Sequence, residues 1–331
     1  MNDNAVLLRE FAEVDDLMSQ LRGMVAHAVP LRQGRYAGGL TTVDLGDVTL
    51  QVVRSMPMLL LGAAEDGRTG LIQLLDGSER ARWNGQPIEA NEIAVCGGGQ
   101  HEAIYPDTFV CTVLDFTTAV PDSGPALRLR RSGPRAILRA DPDAYSALAA
   151  IARAVAQMDA HTSSALHDAE ARRSLRAAVL DIAQSLPASA DVAERSRGRD
   201  GRTRQRIVHR ADEYLCANPA RPVYTEELCT ALGVSATRLH QAFSATFGIS
   251  PHRYLKMRRM AMVRAALLSG AVPWHSVKAA ALSHGFWHLG QFAHDYRALY
   301  GEAPSETLAR ALPGASEVGK ANDSAAQRAA A

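Results

Sequence analysis

Apolar residues follow two different periods along this chain, and the change of period divides it. Near the C-terminal end Leu289, Phe292, Tyr296 and Leu299 lie three and four apart, which places them on one stripe of a helix. His288, Gln291, His294, Asp295 and Arg297 fall on the opposite face. An Ala-rich helical run precedes it, Val277 to His284, and ends at Gly285, which can take the positive φ of a helix C′ position. A short helix, a glycine turn and a second helix with one polar face make a helix-turn-helix pattern.

The pattern occurs twice. Leu228, Leu232, Gly233, Leu239, Phe243 and Phe247 repeat it upstream, with Ser235 placed to cap the second helix. Anchored at their ends, the repeats align Phe247-Gly248 with Tyr300-Gly301 and Pro251 with Pro304. Phe243 then falls on Tyr296, and Leu239 on Phe292. Pro251 to Ser269 contains no internal Gly or Pro and predicts one helix, about 30 Å long at 1.5 Å per residue. Adjacent major-groove faces on one side of B-DNA recur every ~34–36 Å, so such a rod suits two helices entering successive groove segments. A duplication with a purely structural role is the alternative.

The first half has another texture. Residues 5–28 carry Leu7, Leu8, Phe11, Leu17 and Leu21 and predict one or two amphipathic helices. From about Arg35 short apolar or β-branched runs follow: Thr41–Leu45, Val48–Val53, Met56–Gly62, Gly70–Leu75, Ile93–Val95 and Phe109–Phe116. Turn signals such as Gly46-Asp47, Asp66-Gly67, Asp76-Gly77 and Asn84-Gly85 separate them, and many short strands at close spacing predict an antiparallel sandwich or barrel. The Gly97–Gly99 run lacks the Lys-Ser/Thr of a phosphate loop and predicts a tight turn.

Residues 121–140, rich in Pro, Gly and Arg, predict a linker. Two helical stripes come next, Tyr145, Leu148, Ile151, Val155 and Met158, then Leu175, Val179, Ile182 and Leu186. They predict an antiparallel hairpin that must rest on the strands or on a second copy. Arg153, Arg172, Arg173, Arg176 and Asp181 give it a polar outer side. Residues 188–204 predict a flexible tether, and the Ala/Ser/Gly-rich end after Leu312 a disordered tail.

A chain of 331 residues is long enough for two domains, each with its own core. Its net charge of +1 hides an asymmetry, 10 Lys/Arg against 17 Asp/Glu in residues 1–130 and 14 against 7 in residues 202–310. The basic end is the one with the paired helical repeats, which suits a polyanion. The four cysteines, Cys96, Cys111, Cys216 and Cys229, form no C-x-x-C pair and no zinc spacing, so reduced thiols are expected. No apolar run of 18 residues and no signal peptide is present, which predicts a soluble chain with no membrane contact. In the strand region His101 stands beside Glu102 with no second His until His161, too few ligands for a catalytic metal. Gln73, Trp83, His101 and Glu102 are instead candidate linings of an apolar small-molecule pocket. No catalytic residue, metal or cofactor is expected.

Residues 205–310 resemble the DNA-binding domain of the AraC/XylS family of bacterial transcription regulators. The family pattern I-A-x-x-x-G-F, F-x-x-x-F and G-x-x-P appears as Ala280-Ala281, Gly285-Phe286, Phe292 with Tyr296, and Gly301 with Pro304. The Arg and Leu usual in its linking helix appear as Arg259 and Met260. Ala280 replaces the usual Ile, and Thr237 and Gln241 stand where Arg is common, so the family's base preferences do not transfer. Gly285 to Tyr296, with Pro304 to Leu308, is similar to the subgroup that includes ethanolamine-operon regulators.

The resemblance implies an α+β chain with a cupin-like sensing barrel at 1–140, a dimerising helical hairpin at 141–187 and a linker at 188–204. An all-α domain with two helix-turn-helix motifs follows at 205–310, then a disordered tail at 311–331. It further implies an effector-controlled, sequence-specific regulator, a homodimer working with RNA polymerase on double-stranded operator DNA. That places it in the bacterial cytoplasm, on the nucleoid when bound; an amine or amino alcohol is one candidate effector. The resemblance carries activation with it, while the residues themselves are as compatible with repression. Thr237, His240, Gln241, Gly290, Gln291 and His294 are expected at base edges, Arg238, Gln291 and Arg297 at phosphates, and Trp287 and His288 in the same interface. The alternatives are an enzyme, a metal cupin or an alkyl-transfer repair protein, fused to a DNA-binding module, and an architectural DNA-bending protein.

Overall fold

The computed structural model describes residues 6–32, 36–77, 80–97, 100–117, 137–159, 162–186, 199–218, 221–269 and 276–311. Its strands are β1 Val6–Phe11, β2 Met24–Pro30, β3 Gly38–Asp44, β4 Val48–Ser55, β5 Met58–Ala64, β6 Arg68–Asp76, β7 Arg82–Trp83, β8 Gln86–Pro87, β9 Glu92–Cys96, β10 Gln100–Tyr105, β11 Phe109–Thr117 and β12 Ile137–Arg139, with helix α1, Val14–Gln20, between β1 and β2. They form a seven-stranded sheet, β1-β3-β4-β11-β6-β9-β12, and a five-stranded sheet, β2-β5-β10-β7-β8. Every pairing is antiparallel.

Strand alternation builds three layers. Val53, Ile72, Cys111 and Val113 face the five-stranded sheet, where they meet Ala26, Ala28, Met58 and Ala103. Their neighbours Val52, Leu71, Leu114 and Phe116 face the other way, onto two helices. Those helices are α2, Pro142–Ala156, and α3, Ala169–Ser185, joined through a 3₁₀ turn at Thr162–His167. Asp141 caps α2 by accepting from the N–H groups of Asp143 and Ala144, and Asp168 caps α3 through the N–H of Ala171.

Several sequence expectations are corrected here. The sheets are open rather than closed into a barrel, since β1 and β12 bound one and β2 and β8 the other. Leu7, Leu8 and Phe11 lie on a strand, because β3 supplies backbone partners from Val6↔Val43 to Phe11↔Gly38; α1 is the one helix in residues 6–30. Ile137–Arg139, expected in a linker, pairs with β9. Of the two supports left open for the hairpin, the strands or a second copy, its stripes rest on the seven-stranded sheet, so Leu148, Val155, Val179, Ala183 and Leu186 are buried within the chain. The turn at Gly98–Gly99, most of the linker at 118–136, the tether at 187–198 and the tail from 312 lie outside the described residues.

The C-terminal helices are α4 Arg199–Ala217, α5 Thr225–Leu232, α6 Ala236–Phe247, α7 Pro251–Ser269, α8 Val277–Ser283, α9 Leu289–Tyr300 and α10 Pro304–Ala311. Residues 199–204, assigned to the tether, thus open α4. The predicted rod is α7, at the predicted bounds, and it has no continuous polar face. Tyr254, Leu255, Met257, Met260, Val263 and Leu267 are buried on it, and so are Arg258, Arg259 and Arg264. A helix buried nearly all round needs cover on several sides. The repeats supply part of that cover and β2, β5 and β10 the rest, for Val29, Leu59 and Ile104 share one apolar cluster with the helical domain. The two halves therefore meet directly.

Candidate nucleic-acid interface

Each half of the repeat is assembled by local chemistry. Gly233 ends α5 in the left-handed region (φ 65°), and the Ser235 hydroxyl caps α6 by accepting from the N–H of Arg238 at 3.3 Å. In the second unit Ser276 caps α8, accepting from the N–H of Ala279 at 3.4 Å. Gly285 then turns the chain with φ 77°, and a β-carbon there would sit 1.8 Å from the Tyr224 hydroxyl. Both the backbone angle and the close approach require glycine. The aligned pairs Leu239 and Phe292, Phe243 and Tyr296, Phe247 and Tyr300 are all buried.

That burial turns the polar faces outward. Thr237, Arg238, His240 and Gln241 on α6 are exposed, as are His288, Gly290, Gln291, His294 and Arg297 on and beside α9. Trp287, in the turn before α9, is 70% exposed. The structure thus brings the predicted residues together as two open faces, one per repeat. Among the described residues the Arg238 guanidinium has no hydrogen-bond or ion-pair partner. Arg297 lies 3.4 Å from Glu306 on the surface, a contact worth little.

Two residues outside the expected set belong to the second face. Asp295 accepts from Gln291 Nε2 at 3.0 Å through Oδ1, and through Oδ2 it meets Lys256 Nζ of α7 at 2.6 Å. Asp295 was legible on the polar face, but nothing in the spacing paired it with a lysine 39 residues away.

Helix α7 couples the repeats through its arginines. Arg259 lies over the rings of Tyr224, at 4.6 Å, and Phe286, at 5.4 Å, one from each unit. Arg258 donates to the Leu215 carbonyl at 2.8 Å. Arg264 is almost wholly buried and meets Asp15 of α1, Glu13 and Glu302, with Glu302 at 2.8 Å. It also donates to the Tyr296 hydroxyl at 3.2 Å and lies 4.2 Å from the Tyr300 ring centre. Two further polar contacts join the halves, from the Tyr254 hydroxyl to Glu102 and from Arg82 Nε to the Thr246 carbonyl at 2.8 Å.

The four candidate effector residues lie in the interior. Gln73 donates to the Tyr145 carbonyl at 2.7 Å, Trp83 stacks on His101 at 5.1 Å, and Glu102 takes the Tyr254 bond. A cleft of ≈ 380 Å³ opens elsewhere, on the seven-stranded sheet, with Leu8, Arg9, Val52, Arg54 and Met158 among the residues that line it. Among the described residues no group of three His, Cys, Asp or Glu could hold a metal, and no helix is long and apolar enough to cross a membrane. Burial pushes the Cys96 and Cys111 thiols up to about 12, so both should resist iodoacetamide in the folded chain at pH 8 and react after unfolding. Mass spectrometry after labelling reads this directly; native labelling of either would contradict the burial.

Residues 228–310 match a helix-turn-helix domain family. A probable AraC family transcriptional regulator from Rhodopseudomonas palustris CGA009 is 43% identical, covering 32% of this chain and 97% of that one, with a TM-score of 0.29. Through this domain the chain belongs to the AraC/XylS family. Among curated relatives, a XylDLEGF operon transcriptional activator of Pseudomonas putida is 34% identical over 99 residues, 30% of this chain and 63% of the relative. A probable thc operon regulatory protein of Rhodococcus erythropolis is 36% identical over 107 residues, 32% of each. The chain spans between about a third and 63% of the length of the curated relatives it matches. The matched segment, residues 228–310, runs from within α5 into α10 and contains both open faces.

Proposed function

We propose that the chain is a sequence-specific DNA-binding transcription regulator whose two helix-turn-helix units read successive major-groove segments. The observation that carries this reading is the pair of exposed polar faces on α6 and α9, each backed by a buried stripe and joined by α7. Relatives named as operon activators and an operon regulator support regulation, with activation as its sense. In this reading the N-terminal two-sheet module, cupin-like in its antiparallel layers, is the sensor. A small effector would meet the cleft beside Arg9 and Arg54 rather than the four interior residues. The ethanolamine likeness rests on residues 285–308 alone and assigns no effector. A homodimer built through the hairpin would use its outer face around Arg173 and Asp181, since the inner stripe is spent on the sheet. RNA polymerase at an operator is the further partner, and the compartment is the one that holds the DNA. For the alkyl-transfer alternative a thiolate is required, and the burial of Cys96 and Cys111 opposes it.

The test starts from duplex selection out of a randomised library with the full chain. On the selected site, Arg238→Ala should weaken binding to specific and unrelated duplexes alike. It should also flatten the plot of log affinity against log salt by about one unit, as expected for a lost phosphate contact. Failure to enrich any motif would refute the reading; a changed motif with unaltered salt slope would move Arg238 from phosphates to bases.

A further inference from the structure

We propose that Asp295, held by Lys256, locks the Gln291 amide in the one orientation that reads adenine. The inference rests on the DNA-reading function above and names what its second helix selects. A carboxylate has no proton to give, so Asp295 can bond only the NH₂ end of the Gln291 amide, at 3.0 Å. The amide therefore cannot turn over while that bond stands. Its other carboxylate oxygen is engaged by Lys256 at 2.6 Å, which fixes the Asp295 rotamer from α7 and offsets a negative charge that phosphates would repel. The Lys256 and Asp295 side chains are 34% and 22% exposed, so the pair is partly sheltered while Gln291 stays open.

What Gln291 then offers is Oε1 as acceptor and one remaining Nε2 hydrogen as donor. Adenine presents the complement in the major groove, a donor at N6 and an acceptor at N7. Guanine presents two acceptors, O6 and N7, and a glutamine would need both amide hydrogens to satisfy them; Asp295 already holds one. Thymine and cytosine each offer this amide a single hydrogen-bonding group. The neighbouring Gly290 fits the same picture. Among the described residues a β-carbon there would meet no atom outside its own stretch of helix, so the bare backbone leaves room outward for a base edge. Asp295 and Lys256 are thus positioning residues, acting through Gln291.

Library selection with the full chain, run in parallel for the parent, Gln291→Ala, Asp295→Asn and Asp295→Ala, decides the matter. The parent should select adenine at one position that Gln291→Ala no longer specifies. Asp295→Asn keeps size and shape but can donate as well as accept, which frees the amide to turn. At that position it should lower the adenine-to-guanine ratio about tenfold, while the base preference at the other positions is retained. Asp295→Ala should do the same. If Gln291→Ala loses the adenine but both Asp295 variants keep it, Asp295 does not position the reader. An equal loss at every position would make its role structural and overturn the inference. A parent chain that selects nothing would instead bring down the DNA-reading function itself.

Discussion

An Arg264→Met chain should unfold about 3–5 kcal/mol more easily than the parent in urea at pH 7, the usual result of removing one partner from a buried charge cluster. Methionine replaces most of the volume but none of the charge. Asp15, Glu13 and Glu302 then face one another beside the Tyr296 and Tyr300 rings without their buried cation, and only the more exposed Arg310, near Glu302 and Glu13, remains to offset them. Two of those carboxylates come from the N-terminal module and one from the helical domain, so the seam between the halves should open first.

The sign of the pH dependence follows from Glu13. Burial and Glu302 already raise its pKa, so the folded chain binds that proton more readily than the unfolded chain does. Its contribution to stability is present at acid pH and is lost as pH rises through the raised value. Arg264 partly counters that rise, so without it the Glu13 pKa goes higher still and the deficit of the variant should grow as pH rises from the ordinary carboxylate range toward neutrality. Neutralising Asp15 and Glu302 in the same chain should recover part of it, because removing both sides of a buried pair costs less than removing one. A deficit below about 1 kcal/mol that ignores pH would show that Arg264 is solvated in solution.

Val263→Pro should have the largest effect on DNA binding. Val263 is fully buried at mid-helix in α7, where proline removes a backbone hydrogen bond and kinks the rod, at about 3 kcal/mol or more. The kink falls between Arg259, which grips both repeats, and Arg264, which grips the second repeat and α1. Under the proposed reading, full-site affinity should collapse toward that of one half-site, since a kinked rod would not present both helices to successive grooves together. Val263→Ala separates the causes, because it loses packing but leaves the rod straight. It should lower the melting temperature while retaining the full-site advantage over a half-site. Full-site binding retained by a folded Val263→Pro chain would mean that the repeats bind independently.

The helical domain was legible in the sequence because its information is local. Three- and four-residue spacing, glycines at 233, 285 and 301 and a Ser cap at 235 act within a few residues of themselves, and α7 falls at Pro251–Ser269 as predicted. Exposure of Thr237, Gln241 and Gln291 followed from the same arithmetic, since burying one stripe leaves the opposite face outside. The core strands β3, β4, β6, β9 and β11 were also readable from β-branched runs between turns.

What tertiary structure decided was everything that depends on a distant partner. Whether Leu7, Leu8 and Phe11 form a helix or a strand turns on β3, whose partners Thr42, Thr41 and Gly38 lie 27 to 35 residues away in the chain and whose hydrogen bonds outweigh a helical spacing too short to propagate alone. Closure of the sheets, the fate of the hairpin stripe and the pairing of Ile137–Arg139 are likewise settled by what packs alongside. The direct seating of α7 on β2, β5 and β10 was invisible because α7 has no polar face to show how many neighbours it needs. The same holds for the interface. Local sequence presents Gln291, but only the fold brings Lys256 to Asp295, because the pairing of single charges carries no periodicity that a linear chain could display.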